Sequence, residues 1–74
     1  MLSNPMDTFA YAYNHEGPGR SIMLIRTAKH AKDLGASKQQ VLNLMEDIQH
    51  FWVDELPEEE YQRTIVAQIM RIGF

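Results

Sequence analysis

A chain of 74 residues and 8.6 kDa holds one small domain, since two cores of fewer than ~40 residues each do not usually fold unaided. Apolar residues make up 45% and charged residues 23%, too apolar for a disordered tail. The absence of cysteine excludes disulfides, thiolate zinc sites and cysteine nucleophiles.

No stretch approaches ~18 uninterrupted apolar residues, and the start lacks a basic region followed by an apolar run. Neither a membrane span nor a signal peptide is expected, and the expected location is cytoplasmic. The formal charge of −3 is unevenly placed. Residues 15–40 carry Arg20, Arg26, Lys29, Lys32 and Lys38 against Glu16 and Asp33. Residues 41–62 carry Glu46, Asp47, Asp54, Glu55, Glu58, Glu59 and Glu60 with no Lys or Arg. One half therefore suits a polyanion and the other repels it. The plainer alternative is that both halves solvate their helices or neutralise each other.

The N-terminal stretch reads two ways. Asn4-Pro5-Met6-Asp7 looks like a helix cap and first turn, with Met6, Phe9, Ala10 and Tyr13 on one face. Phe9, Tyr11 and Tyr13 also alternate as a strand does. No convincing second strand exists, so a short helix or an extended arm over residues 1–18 is expected. Gly17-Pro18-Gly19 then breaks the chain.

The first main helix is expected over 21–34. At about 100° per residue, Leu24, Ala28 and Ala31 align, with Thr27 and Leu34 beside them. Arg26, Lys29, His30 and Asp33 fall opposite, and Ile22 sits anomalously on that polar side. Gly35 is the stop. Ser37 with Gln40 forms a capping box for a second helix over 38–53. Its apolar line is Val41, Met45, Ile48 and Trp52, flanked by Leu44 and Phe51. Phe51 and Trp52 are expected in the core.

Pro57 fits the first turn of a third helix over 57–72. Glu58, Glu59 and Glu60 follow where the helix dipole favours negative charge. Tyr61, Ile65, Ile69 and Ile72 make the inner stripe, widened by Val66 and Met70. So broad an apolar arc calls for two neighbours or a second subunit, so a homodimer through this helix is one expectation. The expected fold class is all-α, a three-helix bundle over 19–74 with the N-terminal arm or short helix packed on it.

Catalytic chemistry finds little support. His15, His30 and His50 are far apart, and the Asp47/His50 pair is expected to face water, so no metal or other cofactor is expected. Ser3, Ser21 and Ser37 lie in no nucleophile elbow. No carboxylate is placed for general acid–base work. Gly17-Pro18-Gly19-Arg20 ahead of a helix could present amides and Arg20 to a phosphate, although a plain turn explains it too.

The better candidate is the basic first helix. Arg26 and Lys29 share one exposed arc with His30; Arg20 precedes it, Lys32 flanks it and Lys38 opens the next helix. These five cations are the candidate nucleic-acid-binding residues, through weak, salt-sensitive phosphate contacts. No aromatic residue is evidently interleaved with them for base stacking. As an alternative, Glu46, Asp47, Glu58 and Glu59 are the candidate contacts to a basic protein surface.

One family resemblance spans about fifty residues, from Arg20 to Ile69. Gly19 to Ala28 is similar to the G-x-R-N-x-x-L-x-x-L-A opening of the primase C-terminal helical domain. Gly35-Ala36-Ser37 with Val41 to Met45 resembles that family's second helix. Leu56 to Tyr61 with Ile65-Val66 resembles its third. Ser21-Ile22 replace the common Asn residues, and Pro18 lies inside the opening. The resemblance implies a helical accessory module of phage or mobile-element replication, helping an enzyme to engage template or partner. It carries no primase catalytic acids and implies no activity of its own. The expectation is therefore a non-enzymatic replication module; the alternative is a small phage-type adaptor or inhibitor acting through the acidic helices.

Overall fold

Gly19 takes a left-handed backbone, φ 86°, that a side chain would disfavour, and the chain turns there into its first long helix. The computed structural model describes residues 5–73. Asn4, expected as a cap, lies outside the described residues. Within them the elements are α1 (Pro5–Thr8), α2 (Ala10–Tyr13), α3 (Arg20–Asp33) and α4 (Lys38–Phe51). A C-terminal rod over 58–72 follows. It consists of α5 (Glu58–Glu60), a π-helical segment (Tyr61–Val66) and α6 (Ala67–Ile72). No strand occurs among the described residues, and the fold is a small all-α one.

Local chemistry sets each boundary. After α3, Gly35 (φ 97°) donates its N–H to Lys32 and Ala36 donates to Ala31. That pair of bonds is a Schellman stop, and Ala31 and Ala36 are both buried beside it. Ser37 then caps α4 reciprocally: Gln40 N–H donates to Ser37 Oγ at 3.2 Å, and Ser37 N–H donates to Gln40 Oε1 at 2.7 Å.

Helix α4 stops at Phe51, two residues short of the expected end. Trp52 turns extended (φ −69°, ψ 141°) with its indole buried. Pro57 stands just before the rod with ψ 143°, so it supplies the cap carbonyl to Tyr61 N–H rather than the first helical residue.

Two hydrogen bonds orient the long elements. Near their starts, Ser21 Oγ donates to Glu60 Oε2 at 3.1 Å; near their ends, Lys32 Nζ donates to the Ile72 carbonyl at 3.4 Å. Helix α3 and the rod therefore run side by side in the same direction. Helix α4, joined to α3 by the four-residue turn 34–37, returns between their ends in the up-down-up order of a three-helix bundle.

The core follows the expected stripes: Leu24, Ala28 and Ala31 from α3, Val41, Met45 and Ile48 from α4, and Tyr61, Ile65 and Ile69 from the rod are buried. Thr27, also buried, donates its hydroxyl to the Met23 carbonyl. Four side chains of the long elements differ from expectation, among them Met70, which is more than half exposed. Leu34 and Phe51 are about half exposed, although the Phe51 ring packs edge-on against Tyr13. Ile72 is only partly buried.

The N-terminal segment adopts the helical option. It breaks at Phe9, whose backbone (φ −115°, ψ 31°) separates α1 from α2. Phe9, Ala12 and Tyr13 enter the same core as the bundle, while Met6 and Ala10 of the expected apolar face are exposed. No described helix is long and apolar enough to cross a membrane.

Candidate nucleic-acid interface

The five cations expected to face phosphate have different fates. Arg20 lies in the first turn of α3, where the helix dipole disfavours a positive charge. Asp54 compensates: its carboxylate lies 3.3 Å from the guanidinium, which also donates to the Asp54 backbone carbonyl. Arg20 is thus engaged in holding the 52–57 connector against α3. Lys32 reaches across to the last turn of the rod, where the dipole favours a cation.

Arg26 and Lys29 are exposed on the outer face of α3 and have no hydrogen bond or ion pair among the described residues. Three positions apart, they are neighbours on one helical face. Lys38 is likewise exposed and without a partner among the described residues, at the start of α4. Asp33, exposed one turn beyond Lys29, reduces the charge of the face.

An aromatic pair joins His30 of the same helix to a ring of α2 that the sequence did not place there. His30, four positions after Arg26, lies stacked with Tyr11 of α2, with centroids 6.3 Å apart and planes at 28°. The Tyr11 hydroxyl and His30 Nδ1 are hydrogen-bonded at 3.1 Å. Buried Phe9 closes the back, edge-on to both rings at 5.6 and 6.2 Å. Tyr11 keeps 45% of its surface exposed. Nothing in the sequence links positions 11 and 30. The only signal was the alternation Phe9, Tyr11, Tyr13, which a short helix resolves into two inward rings and one outward.

The acidic candidates are largely engaged. Asp47 accepts the Tyr13 hydroxyl at 2.5 Å, Glu58 accepts from Gln62, and Glu59 pairs with Arg63 at 3.2 Å. Burial, and then the hydrogen bond and charge of Asp47, push the Tyr13 hydroxyl well above its ordinary value of 10.

Glu46 and Glu58 converge on Tyr61 from α4 and the rod. Burial first, then these two carboxylates, push its hydroxyl up to about 12. That hydroxyl is buried without a hydrogen-bond partner among the described residues, as is Gln49 Oε1.

The Gly17–Arg20 turn does not make a phosphate cradle. It lines an open cleft of about 500 Å³ shared with Asp54, Leu56 and Glu60. The carboxylates of Glu16, Asp54 and Glu60 outnumber Arg20 there, so the local charge opposes an anion. Each is engaged: Glu16 accepts from Val53 N–H, Asp54 holds Arg20, and Glu60 accepts from Ser21. Among the described residues no three His, Asp or Glu side chains converge as a metal site. His50 faces Glu55 at 3.4 Å, and Asp47 points its carboxylate to Tyr13 instead of joining His50.

No family model matches the chain, and searches of curated proteins and of solved structures find no match either.

Proposed function

We propose that the chain is a non-enzymatic helical module of a replication system, binding nucleic acid weakly through the outer face of α3. The observation that carries this reading is the separation of the cations. Arg20, Lys32 and Arg63 are engaged within the fold, whereas Arg26 and Lys29 stand exposed on one helix beside the Tyr11–His30 pair. Cations without intramolecular partners are available to release counterions from a polyanion. The replication setting, a phage or mobile-element origin and a cytoplasmic location rest on the primase-domain resemblance and the absence of any spanning helix among the described residues. A replication enzyme is the natural second partner.

The test is oligonucleotide binding at low and physiological salt, for the native chain and for Arg26→Glu/Lys29→Glu. Two phosphate contacts predict a log–log salt slope of about −1.4 on single strands. Charge reversal abolishes the binding. Equal binding by native and reversed chains would remove the proposal.

A second reading is an adaptor or inhibitor that engages a basic protein surface with its acidic side. Glu46 and Glu58, both exposed on that side, favour it. Under that reading the native chain binds no oligonucleotide even at low salt, and Glu46→Lys/Glu58→Lys abolishes partner capture. A homodimer through the rod belongs to either reading, since Met70 remains more than half exposed on it. Sedimentation at two concentrations tests that association.

A further inference from the structure

The outer face of α3 is electrostatically modest. It has two exposed cations without partners among the described residues, a neighbouring Asp33, and a chain whose net charge is −3. Phosphate contacts alone would leave such a face poorly competitive, so a second source of affinity decides what it takes. The Tyr11–His30 pair provides one. Its rings are held in a stack by their own hydrogen bond and backed by buried Phe9.

The backbone beneath is also fixed. The two carbonyls that follow Tyr11 in sequence, of Ala12 and Tyr13, accept the buried indole N–H of Trp52 at 3.1 and 3.0 Å. An aromatic side chain already held in place loses less freedom when a ligand packs on it. His30 lies one helical turn after Arg26, and Lys29 neighbours Arg26 three positions on, so Arg26 joins the ring and the second cation on the outer face of α3.

We infer that this surface takes single-stranded nucleic acid, with an unpaired base stacked on Tyr11 and the adjoining phosphates on Arg26 and Lys29. The inference rests on the polyanion reading above and narrows it. Every base has a π-face, but in a duplex those faces are covered by neighbouring base pairs. Only an unpaired base can occupy an aromatic platform. The surface therefore discriminates strandedness rather than sequence. The Tyr11 hydroxyl serves to position the ring against His30; the ring itself supplies the contact.

The experiment is fluorescence anisotropy with a labelled oligothymidylate and a labelled hairpin duplex at low salt. It compares the native chain with Tyr11→Phe, Tyr11→Leu and Arg26→Glu/Lys29→Glu, each checked by thermal melt. Tyr11 is half exposed, and Leu keeps apolar cover over Phe9, so a folded variant is expected. The native chain binds the single strand more tightly than the duplex. Tyr11→Leu weakens single-strand binding roughly ten-fold or more, Tyr11→Phe, which keeps the ring but loses its bond to His30, weakens it far less, and residual duplex binding is unchanged. Tyr11→Leu binding the single strand like the native chain, or a duplex bound as tightly as the strand, overturns the stacking. If charge reversal still abolishes binding in that case, the polyanion reading survives alone. Absence of any native binding at low salt removes both.

Discussion

Trp52 donates its indole N–H to the Tyr13 carbonyl at 3.0 Å, and shares it with Ala12 at 3.1 Å. This is how a four-residue helix, too short to persist alone, is held on the bundle. Trp52→Phe retains most of the apolar burial but leaves two buried carbonyls without that donor. It is expected to cost about 1–3 kcal/mol. Trp52→Ala removes the packing as well and should cost roughly 3–5 kcal/mol. Urea melts followed by far-ultraviolet circular dichroism measure both. A Phe variant as stable as the native chain would show that the indole hydrogen bond does not anchor α2.

Tyr61 gives the fold an alkaline limit. Its hydroxyl is pushed from 10 up to about 12, so between those values the folded state keeps a proton that the unfolded chain has lost. The associated stability is fully present below pH 10 and is lost as pH rises through about 12. The loss amounts to roughly 3 kcal/mol. Tyr61→Phe also deletes a buried hydroxyl without a partner among the described residues, so at neutral pH it should be neutral or stabilising by about 1 kcal/mol. Comparing native and Phe chains by urea melts over that window isolates this tyrosine, because Tyr13 contributes equally to both. A steeper alkaline loss in the variant contradicts the assignment.

Arg20 and Arg26 are predicted to differ in kind. Arg20→Ala removes an exposed ion pair with Asp54, which costs about 0–1 kcal/mol, and leaves oligonucleotide binding unchanged. Arg26→Ala leaves the melt unchanged and lowers both affinity and salt slope. The opposite pattern would place the phosphate contacts at the start of α3 instead of on its outer face.

Ser37→Ala tests the local grammar of the fold. The reciprocal bonds with Gln40 satisfy two N–H groups at the start of α4, and losing the side-chain acceptor should cost about 1 kcal/mol. A thermal melt reads it directly; no change would mean that solvent replaces the cap.

Helix grammar was the part of this molecule most open to reading. The Schellman stop at Gly35, the box at Ser37 and the alignment of Val41, Met45 and Ile48 are local, and each follows from spacing alone. Contacts across the fold were not legible in that way. Arg20 meets Asp54, Lys32 meets Ile72, and Tyr11 meets His30 only because the rod and α2 pack against α3. No periodicity reveals which cation is engaged or which ring is left outside.

The π-helical turns of 61–66 were hidden for a related reason. Their wider winding keeps Tyr61 and Ile65 inward, the same residues that an α-helical stripe selects. Tyr61 was therefore placed correctly without the geometry that holds it.

Amide chemical-shift mapping with an oligothymidylate at low salt locates the binding surface. The perturbed amides are expected to cluster at Arg26, Lys29 and His30 of α3 and at Tyr11 and Ala12 of α2. Amides near Glu46 and Glu58 should remain in place. Perturbations centred on that acidic side, or none at all, would contradict this placement.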